Sequence, residues 1–199
     1  MPRKIPQQSR AVQMVAAILE AAACVLETQG LQAFTTNRVA LRAGISVGSL
    51  YQYFPGKDAL IVALALRERA LLLAEAQSAL KETTGRKALK HLIAVATREQ
   101  LRRPILARLL DFEETRAPIA RELAPSLSPF HELMQQILSH KDIPAQPDIK
   151  TAVDDLANII RVLVDAAGDR GEINIKDLEQ RIERTVSGYL GLAPGPRKV

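Results

Sequence analysis

With 199 residues and 47% hydrophobic side chains, the chain is long enough for one large domain or two small ones around a real core. The good helix formers Ala, Leu, Arg, Glu, Lys and Gln dominate, no window alternates with period two, and ten glycines and eleven prolines are too few for a collagen-like or low-complexity chain; an all-α protein is expected. The net charge of +5 suits an anionic partner such as nucleic acid, and a single cysteine, Cys24, excludes an intrachain disulfide.

Residues 1–9 carry two prolines and polar groups and read as a mobile arm, with no apolar stretch of signal-peptide length behind the first charges. A helix is expected from about Arg10 to Gln29, with Ser9 as a candidate cap and Gly30 as its left-handed stop. Val15, Ile18, Leu19, Ala22, Val25 and Leu26 form its apolar stripe, and Cys24 reads as a small apolar residue on it. Thr35 or Thr36 can cap a short helix from Asn37 to about Ala43, ending at Gly44. Ser46 can cap another from Val47 to about Phe54, stopped by Pro55-Gly56. Two short helices joined by a Gly-containing turn are the helix-turn-helix pattern.

A long helix follows from Lys57 to about Lys81, then helices over about Arg86–Leu101 and Pro104–Arg116. Three prolines (Pro118, Pro125, Pro129) break the next stretch, and a helix covers about Pro129–Ser139. After the loop KDIPAQPD, two closing helices are expected, about Asp148–Ala167 and Lys176–Leu190, with a tail over 192–199. No apolar run reaches the length of about 18 residues that a membrane span needs, so no membrane partner is expected and the protein reads as cytoplasmic.

The chemistry concentrates between Thr35 and Leu60. Val39, Ala40, Ala43, Ile45 and Leu50 are placed to face inward and set the crossing of the two short helices. Val47, Gly48, Ser49, Tyr51, Gln52 and Tyr53 then face out, an unusual solvent face. Hydroxylated aromatics suit a DNA groove, where they reach phosphates and thymine methyls, and a glycine allows close approach. Lys57 is placed for a phosphate. The alternative for one of the tyrosines is packing between helices. Residues 1–58 also hold six basic against three acidic side chains, the more electropositive end of the chain.

These segments, TTNRVA, AGIS, GSLYQYF and KDAL, closely resemble the tetracycline-repressor (TetR) family over about residues 10–65. The resemblance implies that the third helix enters the major groove. It implies that Thr36, Ser49, Tyr51, Tyr53 and Lys57 match phosphate- or base-contacting positions, and that Asn37 and Gln52 match positions that vary with the operator. Two departures stand out: Gly56 replaces the usual capping side chain before Lys57, and Val47 opens the reading surface with an apolar group. The division expected is a helix-turn-helix domain over 1–56 and a helical ligand-binding and dimerisation domain over 57–199.

In that second part Asp111, Glu114 and His131 are candidate ligand contacts, with a solvated helix face as the alternative. Sparse aromatics favour an aliphatic or small polar effector. Val153, Leu156, Ile160, Leu163 and Ala167 step by three and four residues, as do Leu178, Ile182, Val186 and Tyr189. These two stripes are expected to form a homodimer's four-helix bundle, the alternative being burial within the subunit. No metal or cofactor site and no enzyme motif is read: His131-Glu132 lacks the second histidine of a zinc helix, and no nucleophile–base pairing is legible. The expected function is a repressor bound to a palindromic operator in double-stranded DNA and released by a small molecule. The competing reading is a helical protein-interaction adaptor without DNA binding.

Overall fold

The computed structural model describes residues 7–192. Ten α-helices follow one another: α1 (Gln7–Ala33), α2 (Thr36–Ala43), α3 (Val47–Tyr51), α4 (Lys57–Ala76), α5 (Gly85–Arg102), α6 (Pro104–Glu114), α7 (Ala117–Leu123), α8 (Ser128–Leu138), α9 (Ile149–Asp169) and α10 (Ile175–Tyr189). Short 3-10 turns occupy Gln77–Lys81 and Ala124–Leu127. No strand occurs among the described residues, and the fold is all-α. Residues 1–6 of the expected arm and 193–199 of the expected tail lie outside the described residues.

Local signals place most of the helix ends. The backbone of α1 is already helical at Gln7, ahead of the expected cap Ser9, and breaks at Gly30, whose φ of 73° only glycine adopts at little cost. Thr35, not Thr36, caps α2 by accepting from the Arg38 N–H, and Gly44 ends it at φ 70°. Helix α3 stops at Tyr51, three residues before the expected end. Phe54 precedes Pro55, which disfavours helical backbone there, and the chain closes instead by bonds from the Tyr53 and Phe54 N–H groups to the Leu50 carbonyl at 2.9 and 3.0 Å.

By length and averaged hydropathy, α1 from Arg10 to Ala33 could cross a membrane, against the expectation that no segment could. Its many alanines raise the average, although Arg10, Glu20 and Glu27 interrupt the run. Its apolar side is a core face, with Ile18, Leu19, Ala22, Val25 and Leu26 buried.

The described residues pack as two compact units. The first joins residues up to Glu68 with Ile105–Leu123. Its core brings Ile18, Leu26, Phe34, Val39, Leu50 and Phe54 together with Leu60, Ile61 and Leu64 of α4 and with Leu106, Leu110, Ile119 and Leu123 of α6 and α7. The expected boundary at 56/57 therefore falls inside this unit, because the first turns of α4 bury their apolar side with α1 to α3.

The second unit holds Arg69–Pro104 and the residues from Ala124 on. Helices α5, α8, α9 and α10 meet around Leu92, Ile93, Met134, Ile137, Leu156 and Ile182. Most of the two stripes expected at a dimer seam lie in this core. Val153, Leu156, Ile160, Ala167, Leu178, Ile182 and Val186 are at most 5% exposed and belong to the unit's own core. A spacing of three and four identifies a buried stripe but does not say against what it is buried. Leu163 is half-buried against the same core, and only Tyr189 stands out, 38% exposed, its hydroxyl donating to Asp155 at 2.7 Å.

Two polar devices brace this unit. The loop after α8 folds onto the start of α5, where Asp142 accepts from the Gly85 and Arg86 N–H groups at 2.8 and 3.1 Å. Gly85 admits this approach: a Cβ there would lie 2.7 Å from Ile143 and 2.9 Å from His140. Ser78, His91 and Glu82 form a second, a hydrogen-bonded chain that ties the 3-10 turn to α5, with His91 at 2.9 Å from Ser78 and 3.1 Å from Glu82. The sequence does not reveal this serine–histidine–carboxylate order. The Ser78 hydroxyl also donates to the Glu75 carbonyl at 2.6 Å, which engages its proton in a local turn rather than on the histidine.

Candidate nucleic-acid interface

The surface expected to read DNA is carried by α2, α3 and the first turn of α4. Val39, Ala40 and Leu50 are fully buried and fix the crossing of α2 and α3, with Ala43 and Ile45 packed at its edge. The turn between them is closed by the Ile45 N–H on the Ala40 carbonyl at 3.0 Å. Ser46 caps α3 by accepting from the Ser49 N–H at 3.0 Å, and the two serine hydroxyls pair at 2.9 Å. One face of α3 is thereby locked inward through Leu50, and the rest must face out.

On that outer side Tyr51 is 51% and Tyr53 38% exposed, so neither is consumed by packing between helices. Gln52 and Asn37 are exposed, and Thr36 is half-buried. Thr36 and Tyr51 hold one another, hydroxyl to hydroxyl at 3.2 Å, which orients the ring across the gap between α2 and α3. Gly48 has no internal reason to be glycine. Its φ is not positive, and an added Cβ would meet only the Ser46 hydroxyl, at 3.8 Å. Val47 is half-buried and packs against the core, which leaves it less available to a thymine methyl than its place in the sequence implies.

Lys57 is anchored at its tip. Its ammonium donates to the Leu31 carbonyl at 3.3 Å and lies 5.8 Å from the centre of the Phe34 ring. An ammonium has three donors, so one anchoring bond still leaves donors for an anion. Arg38 donates to Gln29 at 2.5 Å, fastening α2 to α1.

Residues 18–64 match the family model described as bacterial regulatory proteins, tetR family. The chain carries a TetR-family helix-turn-helix. Solved structures extend the likeness beyond this domain. A TetR transcriptional regulator from Rhodococcus sp. RHA1 is 25% identical with a TM-score of 0.65, over 94% of this chain and 100% of that one. The fatty acid degradation regulator FadR from Bacillus halodurans is 17% identical with a TM-score of 0.77, over 87% and 97%. FadR from Bacillus subtilis, solved in complex with stearoyl-CoA, is 15% identical with a TM-score of 0.77, over 90% and 99%. No curated protein sequence matches the chain. The tetR-type domain here is thus a DNA-binding helix-turn-helix on an all-helical regulator fold.

The candidate ligand residues belong to different units. Asp111 and Glu114 lie half-buried on α6 of the first unit, and His131 lies on α8 of the second, 3.6 Å from Asp154. The run containing Asp111 and Glu114 does something that sequence reasoning missed. Arg116 donates from both terminal nitrogens to the two oxygens of Asp58, at 2.9 and 3.0 Å, and to Glu113 at 2.5 Å. Glu113 is only 5% exposed. The available signal was its spacing: Leu106, Leu110 and Glu113 step by four and three, which puts a carboxylate on the buried stripe, where it needs a cation.

Proposed function

We propose that this protein is a cytoplasmic, dimeric repressor that binds a palindromic operator through Thr36, Asn37, Gly48, Ser49, Tyr51, Gln52, Tyr53 and Lys57, and is released by a small-molecule effector. The observation that carries the DNA reading is the outer face of α3. It joins two half-exposed tyrosines and a free glutamine edge to a glycine that neither packing nor backbone requires. A second macromolecule entering that face accounts for all of these at once. Tyrosine hydroxyls reach phosphates, a glutamine can pair with an adenine edge, and Gly48 leaves room for the nucleic-acid backbone.

Dimerisation is inferred from DNA geometry and from the outward side of α9. Asp155, Val162 and Ala166 form a stripe there, with Val162 56% exposed and Tyr189 of α10 beside Asp155. An effector is inferred for the second unit, where Phe130 and Tyr189 are the only aromatic residues, which favours an aliphatic compound over a flat stacked one. The acyl chain of the ligand bound by the Bacillus subtilis FadR is of this class. The buried Thr97 hydroxyl, without a hydrogen-bond partner among the described residues, is a polar group that such a compound could satisfy.

Selection of bound sites from random duplex DNA tests the proposal. Palindromic sites are expected, with log K falling by about 0.9 per neutralised phosphate as log salt rises. No enrichment, or affinity indifferent to salt, returns the adaptor reading.

A further inference from the structure

We infer that Arg116 is a positioning residue for the DNA-contacting end of the first unit, acting through Asp58 on the turn that carries Lys57; the inference rests on the DNA-binding reading above. Helix α4 begins at Lys57 immediately after Gly56, which has no side chain to cap it. Asp58 stands in that first turn, where a carboxylate favours the positive helix end, and Arg116 grips both of its oxygens. The planar fork of a guanidinium fixes direction as well as distance, so this contact sets the angle at which α4 leaves the recognition helix.

The other end of the grip is firm. Arg116 is held by Glu113, a carboxylate buried on α6, and a buried carboxylate does not readily give up a compensating cation. Helices α6 and α7 in turn are part of the core that contains Leu50 of α3 and Phe54 just after it. The path from buried core to Lys57 is therefore Glu113, Arg116, Asp58 and one peptide bond. Lys57 itself bonds across to the Leu31 carbonyl, so a swing of the α4 entry would displace the ammonium from that anchor.

Plain electrostatics and positioning predict opposite signs, which makes the test sharp. Asp58→Asn removes a negative charge beside the DNA face. If charge alone mattered, the variant would bind the selected palindromic duplex more tightly. If Asp58 positions the turn, it binds about tenfold more weakly, with helicity and sedimentation unchanged. Arg116→Gln, which also unpairs Glu113, should lose at least as much, and the double variant should be no worse than Arg116→Gln alone, because the Asp58–Arg116 contact is then already gone. Tighter or unchanged binding by Asp58→Asn overturns the inference. So do additive losses, which would mean that Arg116 acts on DNA separately. Should Arg116→Gln fail to fold, Asp58→Asn still decides, its side chain being 48% exposed. A wild-type protein that binds no palindromic duplex fails the DNA reading itself; wild-type binding with an indifferent Asp58→Asn fails only the inference.

Discussion

Gln52 and Tyr51 are neighbours on one short helix, yet they answer to different demands. Tyr51 is tied to Thr36, so its hydroxyl is held where α2 and α3 together face outward, the arrangement suited to a phosphate, which has the same form at every base pair. Gln52 caps the helix end and is exposed. Its amide is the group able to distinguish one base edge from another. Gln52→Ala should change the preferred base at one position in each half-site, at about 1–3 kcal/mol against the favoured sequence. Sequencing of sites selected by wild type and variant measures this, and an unchanged profile would remove Gln52 from the reading surface. At this scale the sequence was informative about which residues face outward and less so about what each one touches. The exposed tyrosines and the left-handed Gly44 follow from residue type and spacing. The seat of Lys57 on Leu31 and Phe34, and the partial burial of Val47, depend on how α1 folds back, which no local pattern encodes.

Helix ends show the same division between near and far. Caps supplied by the preceding residue, Thr35, Ser46 and Asp148, act within three residues and are written in the sequence. The start of α5 has a local cap in Thr84, but it is also held by Asp142, far along the chain. Burial tends to raise the pKa of that carboxyl, but donation from the Arg86 and Gly85 N–H groups and from His140 outweighs it and holds it below the usual aspartate range. A carboxyl whose folded pKa is depressed contributes stability that is fully present above its unfolded value, about 3.9, and is lost as pH falls through the folded value. Asp142→Asn should therefore lower stability at neutral pH by about 1 kcal/mol, as expected for a lost cap, and shrink the fall in stability on acidification. Urea titrations at neutral and acid pH compare the two proteins. An equal difference at every pH would show that the charge of Asp142 contributes nothing beyond its shape.

Over the whole molecule the limiting quantity is the number of bases one recognition helix can reach. Helix α3 is five residues long, and a single such element contacts few base pairs. Two copies held about 34 Å apart meet successive major grooves on one face of the duplex, and that spacing requires a rigid C₂ interface. The apolar stripes of α9 and α10 cannot supply it directly, since they are spent within the subunit's own core. What remains outward on α9 is Val162 with Ala166 beside it, Val162 being more than half exposed and the Tyr189–Asp155 pair at the margin. In a symmetric dimer one substitution acts twice. Val162→Glu would set two carboxylates into an apolar seam, where an unpaired charge is costly to desolvate, but on a monomer surface it would meet only water. The expected product is a folded monomer: helicity and thermal midpoint close to wild type at low concentration, half the mass by sedimentation, and loss of tight binding to the full palindrome with weak binding to a half-site retained. Leu163→Glu is the poorer probe, because that side chain packs against the subunit core and its loss of function would not separate misfolding from dissociation. A Val162→Glu protein that stays dimeric, or a monomer that holds the full operator as tightly as wild type, would move the interface away from this side of α9.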